Sequence, residues 1–152
     1  MLRHGIAVLA VLMFCSGCAT AVKPPAGVVV PDGMETTYRE FQYAPAVRAG
    51  SMLYLSGVVA RIADGETSMV PAIERAFDEI ETILSHAGAT WSDVVDVTSY
   101  MTDLDAQIGP LWQVKGQRVT EPYPAWTAIG VERLYGGDAA IIEIKVTAYL
   151  HD

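Results

Sequence analysis

Between residues 68 and 87 apolar side chains return every three or four positions, at Met69, Ile73, Ala76, Phe77, Ile80, Ile83, Leu84 and Ala87. That spacing predicts an amphipathic helix, with Glu74, Asp78, Glu79 and Glu81 mostly on its wet face. Thr67 or Ser68 is placed to cap its start, Pro71 fits only its first turn, and Gly88 fits its C-terminal end. The period then shortens. Residues 94–101 are β-branched and read as a buried strand. Over 139–150 apolar and polar residues alternate: Ile142, Ile144, Val146 and Ala148 share one face, and Glu143, Lys145, Thr147 and Tyr149 the other. Shorter strands are expected at 37–42, closed by Tyr43-Ala44-Pro45, at 46–49 and 52–56 around a Gly50-Ser51 turn, and at 125–131. Asp103 opens a second helix to about Val119, with Pro110 bending it or delaying its start.

The order is therefore β-β-β-α-β-α-β-β, an α+β domain with two helices on one face of a sheet. The other face needs a cover. Val94, Thr98, Tyr100 and Trp126 are too apolar to face water on a monomer, and a homo-oligomer is the economical shelter.

The first residues follow a different rule. Met1-Leu2-Arg3-His4 is a short basic opening, and Gly5 to Phe14 is small and apolar throughout. That run is too short for a membrane-spanning helix, which takes about 20 residues, and has the length of a signal-peptide core. Cys15-Ser16-Gly17-Cys18 follows. Residues 1–17 are thus expected to be a cleaved signal peptide. The small residues before a cysteine resemble a bacterial lipoprotein signal, with Cys15 where leucine is usual, so Cys18 becomes the lipidated first residue. An ordinary signal peptide cut nearby is the alternative. Residues 19–34, rich in Pro, Gly, Ala and Val, read as a flexible tether, and 35–152 as the folded domain. The expected location is the periplasm, anchored to a membrane through Cys18. Ala19 lacks the Asp associated with inner-membrane retention, which points to the outer membrane.

Cysteine and charge narrow the chemistry. Cys15 and Cys18 are the only cysteines, so a mature body cut before Cys18 has no disulfide and no catalytic thiol. The full chain carries a net charge of −8, and removing Arg3 with the leader makes the body more acidic still. Nucleic acid is not expected as a partner, because phosphate binding needs clustered cations. His86 and His151 stand apart, with no metal-ligand spacing around them. Gly136-Gly137 lacks the strand-to-helix context of a phosphate loop. Neither a metal nor a cofactor is expected.

Five segments occur in a telling order: 43–50 (Tyr-Ala-Pro-Ala-Val-Arg-Ala-Gly), Leu55-Ser56-Gly57, Gly88 through Asp93-Val94-Val95, 124–131 (Pro-Ala-Trp-Thr-Ala-Ile-Gly-Val) and Ile142-Glu143-Ile144. Together they resemble the RidA/YjgF (reactive intermediate deaminase) family over about residues 40–150. The resemblance implies a chorismate-mutase-like α+β fold, a homotrimer around a central barrel, and small-molecule clefts between subunits. It also implies hydrolysis of enamines and imines to ammonia and a 2-keto acid. Carried over by position, Tyr43 and the Ser56-Gly57 pair line the pocket and Glu143 positions or activates water. The family's carboxylate-binding arginine is here Trp126, and Val58 stands where the family has Gln.

Indole has one N–H and no charge, so it cannot clamp a carboxylate as a guanidinium does. A flatter, less anionic ligand stacked on Trp126 is then expected, with Thr127 lining the same cleft. Trp126 is alternatively a trimer-core residue. Ser56 has no His or Lys at a spacing that would make it a nucleophile. Trp91 and Trp112 read as packing, and Arg61 and Arg133 as candidate replacement cations. Two functions follow: a deaminase-type hydrolase acting on an enamine- or imine-like metabolite, or a non-catalytic trimeric binder of a small planar molecule. An envelope location separates the protein from the cytoplasmic enzymes that make such imines, which, together with Trp126, brings the two readings close to balance.

Overall fold

The computed structural model describes residues 27–151; the leader, Cys18 and the first half of the expected tether lie outside them. The chain runs β1 (Val28–Val29), α1 (Glu35–Glu40), β2 (Ala46–Ala49), β3 (Met52–Leu55), β4 (Val58–Arg61), α2 (Val70–His86), a 3-10 turn (Trp91–Asp93), β5 (Val94–Met101), α3 (Leu104–Arg118), β6 (Ala125–Gly130) and β7 (Ala140–Tyr149). One sheet holds every strand in the order β1-β2-β3-β7-β5-β6, with β4 also on β7. The mixed α+β architecture agrees with the expectation from the sequence.

The two long helices form as their patterns require. Ala72, Ile73, Ala76, Phe77, Ile80, Ile83 and Leu84 are the buried face of α2. They meet Leu53, Leu55, Val97, Ile142, Ile144 and Val146 in one core, each large side chain contributing roughly 1.5–3 kcal/mol by burial. The Ala89 amide donates to Leu84 O (2.8 Å) and the Gly88 amide to Ser85 O (3.0 Å). With Gly88 at φ +77°, this closes the helix in a Schellman motif. The helix starts at Val70, not Ser68; Ser68 Oγ accepts from the Val70 amide at 3.3 Å. Helix α3 starts at its Asp103 cap, where the carboxylate accepts from the Ala106 amide at 3.1 Å. Pro110 neither delays the start nor ends the helix but lies inside it.

The N-terminal third departs from the expectation. Residues 35–40 are helical, not a strand. Glu35 in the first turn and Arg39 in the last complement the helix dipole. The edge strand is instead Val28–Val29, which pairs antiparallel with Val47 and Ala46. The C-terminal part of the expected tether therefore belongs to the sheet, because its β-branched run satisfies the open edge of β2. A further strand, β4, follows the Ser56-Gly57 break, where the expected strand ended.

The sheet's faces are set by register. In β5, Val94 pairs with Ala148 and Asp96 with Thr147, so Val95 is an extra residue. This bulge resets the alternation, burying both Val94 and Val97 on the helix side while Val95 is exposed. Parallel pairing then puts Trp126 beside Val97, also on the helix side. Two of the four residues expected on the open face, Val94 and Trp126, thus belong to the other. Thr98 and Tyr100 remain on the open face, joined by the exposed Val47, Tyr54, Ile129 and Tyr149.

Candidate functional site

The site forms where β7 changes partner. Residues Thr147–Tyr149 pair with β3, and Ala140–Ile144 pair with β4. Leu55, Ser56 and Gly57 cross the break between them. Ser56 is held by the backbone of the preceding loop: its amide donates to Pro45 O (3.0 Å) and its hydroxyl to Ala44 O (2.7 Å). The hydroxyl donates its single proton to a carbonyl, which suits a positioning role better than a nucleophilic one. The Tyr43 hydroxyl donates to Gly57 O at 2.6 Å. Partial burial, with Glu143 and Glu79 nearby, raises the phenol above its ordinary pKa against the lowering effect of Ser56. Tyr43 therefore stays a protonated donor through neutral pH.

Glu143 sits on β7 between Val59 of β4 and Tyr100 of β5. A Cβ on Gly57 would collide with Glu143 Oε1, so only glycine leaves room for this carboxylate against the break. A recess of about 520 Å³ opens here, lined by Tyr43, Ser56, Gly57, Glu143, Arg133 and Lys145, with Tyr54 and Tyr100 beside them. A carboxylate, a phenol and two cations thus converge on one concavity, a combination suited to holding an anionic small molecule.

Four sequence-predicted site residues, Tyr43, Ser56, Gly57 and Glu143, come together. Trp126 and Thr127 do not join them within one chain. The Trp126 indole donates to Ser99 Oγ at 2.8 Å and packs against Trp112, ring centroids 6.3 Å apart. Lys115 Nζ lies 4.0 Å from the Trp112 ring and 4.4 Å from that of Trp126. Thr127 lies on the open face beside Thr98, whose other neighbour is Lys145. Of the candidate cations, Arg133 lines the recess. Arg61 donates instead to the Tyr135 and Gly136 carbonyls, both at 3.2 Å. Trp91 is a packing residue as expected, stacked 5.2 Å from Phe77. Lys145 was overlooked as a site residue. The signal was its place two residues after Glu143 in a strand of period two, on the same face.

The endoribonuclease L-PSP family pattern matches residues 35–150, nearly the whole described domain. The chain belongs to this family, the RidA/YjgF family. The chain is 40% identical over 123 residues to the RutC family protein YjgH of Escherichia coli (strain K12), covering 79% of this chain and 92% of the relative. A RutC family protein of Pyrococcus abyssi is 30% identical over 113 residues, covering 70% of this chain and 85% of the relative. Among solved structures, protein YJGH aligns with a TM-score of 0.71 at 37% identity, covering 82% of this chain and 96% of that one. RidA from an Antarctic Psychrobacter aligns with a TM-score of 0.62 at 29% identity, covering 71% and 88%.

Proposed function

We propose that this chain is a Rid-type hydrolase: a homotrimer with clefts between subunits that hydrolyses an anionic imine or enamine and releases ammonia. The observation that carries this reading is the convergence of Glu143 and Tyr43 with Arg133 and Lys145 in one recess. In such a site the cations hold the carboxylate of a 2-imino acid. Glu143 takes a proton from water as the water oxygen bonds to the imine carbon. It delivers that proton to the nitrogen, giving a carbinolamine, then relays the hydroxyl proton to the same nitrogen as the carbonyl forms and the carbon–nitrogen bond breaks, leaving a 2-keto acid and ammonia. Tyr43, its proton donated to Gly57 O, orients the water or the imine N–H by accepting from it. The clamp lost at Trp126 is thereby supplied by Lys145 of β7 and Arg133 of the loop after β6, and the expected stacking on Trp126 gives way to ion pairing.

The trimer is supported by the apolar open face, since the recess lies on that face and a neighbour covering one would border the other. The family description names an endoribonuclease, but a net charge of −8 does not favour RNA as substrate. The sequence of residues 1–18 further supports export, lipidation at Cys18 and a periplasmic site, and Ala19 after the cysteine supports the outer membrane. Cys18→Ser is expected to move the protein from the membrane fraction to the soluble one.

One observation favours a second reading, a non-catalytic binder. Trp126 is engaged by Ser99 on the helix side, so the position of the family's arginine supplies no cation. Ammonia release from imines freshly made by an amino-acid oxidase decides between the two. The hydrolase requires acceleration by the wild type and a loss of at least about 100-fold in Glu143→Gln, the scale of one general acid–base group. Full activity in Glu143→Gln would end the assignment; ligand binding without ammonia release would establish the binder.

A further inference from the structure

Glu143, Tyr43 and Gly57 border a second recess as well as the first. It has a volume of about 650 Å³ and lies on the β4 side of the carboxylate. Its character differs. Arg133 and Lys145 line the first recess, whereas the second is lined by Phe41, Tyr135, Val58 and Val59 together with Thr37, Arg61 and Glu79. Phe41 is 68% exposed and Tyr135 87% exposed in the single chain. Two uncovered aromatic rings beside an apolar concavity, next to a functional carboxylate, mark a ligand surface.

Both rings are held in place by local structure. Phe41 ends α1, and Gln42 after it takes a left-handed conformation, φ +55°, that L-residues adopt at a cost. That turn places Phe41 and Tyr43 on the same recess. Strain of this kind persists where the surroundings impose it, often beside ligand sites. Tyr135 sits in a loop tied to β4 by the Arg61 guanidinium, which donates to the carbonyls of Tyr135 and Gly136. Arg61 is thus a positioning residue for the ring, and its charge is spent on the loop.

We infer that the Phe41–Tyr135 recess receives the side chain of the substrate, and that the preferred ligand is a 2-imino or 2-oxo acid with an aromatic or similarly large apolar side chain. This rests on the hydrolase reading for the reaction, but its recognition part stands alone. A ligand straddling Glu143 puts its carboxylate toward Arg133 and Lys145 and its reacting carbon at Glu143. Its side chain then lies between Phe41 and Tyr135, where ring faces stack. A methyl side chain would leave that recess empty.

The test measures binding, so it does not depend on turnover. Calorimetric titration of the full-length protein with phenylpyruvate and with pyruvate compares a large and a small side chain on one head group. Phenylpyruvate is expected to bind at least about tenfold more tightly, the discrimination one well-filled apolar pocket provides. Phe41→Ala and Tyr135→Ala should each erode that ratio and together abolish it, leaving pyruvate affinity as it was. Equal affinities in the wild type, no binding of either acid, or a preference that survives both substitutions would each overturn the inference. The hydrolase reading fails separately, on ammonia release and Glu143→Gln.

Discussion

Trp126 shows how one side chain can change its meaning once its face is known. The family resemblance sets it where an arginine is expected, and restoring Arg looks like a route to a stronger carboxylate clamp. In the fold its indole donates to Ser99, which is fully buried, and packs on Trp112 beside Lys115. Trp126→Arg removes that packing, leaves the Ser99 hydroxyl without its donor, and sets a guanidinium near Lys115. Burial already pushes the Lys115 ammonium below its ordinary pKa, and a second cation adds repulsion. A buried polar group left unpaired costs about 1–3 kcal/mol. The variant should therefore unfold at a lower urea concentration than wild type, with no gain in ammonia release. Ser99→Ala, combined with it in a double-mutant cycle, should account for part of the loss. Stability equal to wild type, or a clear gain in activity, would show that the indole is dispensable where it lies. That Tyr43, Ser56, Gly57 and Glu143 lie together was legible in the sequence because each sits in a short recognisable segment. The facing of Trp126 was not, because it depends on the parallel register that pairs it with Val97, and no local pattern encodes that register.

At the scale of elements, length decided what could be read. Helix α2 and strand β7 repeat their period several times and were recovered nearly to their ends. Strands β1 and β4 have two and four residues, too few to display a period. The bulge at Val95 reverses the alternation of β5 without altering its composition. The connection from β4 to α2 carries a prediction of its own. Glu66 accepts from Arg75 at 2.6 and 2.9 Å and from the Ala63 amide at 2.7 Å, while Arg75 also donates to Arg61 O. This ties the loop to both elements. The Arg75 bond first, and the Ala63 amide second, lower the Glu66 carboxyl from 4.5 to about 2. Because the folded state holds the proton less tightly, the tie's stabilisation is complete above the unfolded pKa near 4.5. It is lost as pH falls toward about 2. Glu66→Gln should lower the urea midpoint at pH 7 and give a shallower decline between pH 4.5 and 2. The difference from wild type should shrink in roughly 1 M salt, since this exposed pair is screened. Parallel declines in the two proteins would remove Glu66 from the acid response.

For the whole molecule, the open face and the site form one problem. Glu143, Lys145, Tyr54 and Tyr100 line the recess, and the same sheet face continues through Thr98, Thr127 and Ile129 to the β6 edge. Val47, Tyr54, Ile129 and Tyr149 add exposed apolar side chains to this face, and a neighbouring copy would cover them. A closed ring of copies covers it on every subunit at once and leaves no unpaired face to propagate aggregation. It would also bring one subunit's β6 face toward its neighbour's cleft, which is how Thr127 could reach a ligand that it does not meet within its own chain. The scale needed for a stable contact is about 800 Å² per partner. If the assembly is the trimer that the family resemblance implies, light scattering of the detergent-solubilised or leaderless protein should give three times the subunit mass. Ile129 lies two positions beyond Thr127 and outside the recess, so Ile129→Asp tests assembly without touching the proposed catalytic groups. A carboxylate buried at that contact should dissociate the trimer, and ammonia release should fall with it while the circular dichroism of the domain persists. A variant that becomes monomeric yet keeps full activity would confine the site to one chain. A wild type that scatters as a single subunit would leave the open face without its proposed cover, and the cleft would have to function as the half-open recess seen in the isolated fold.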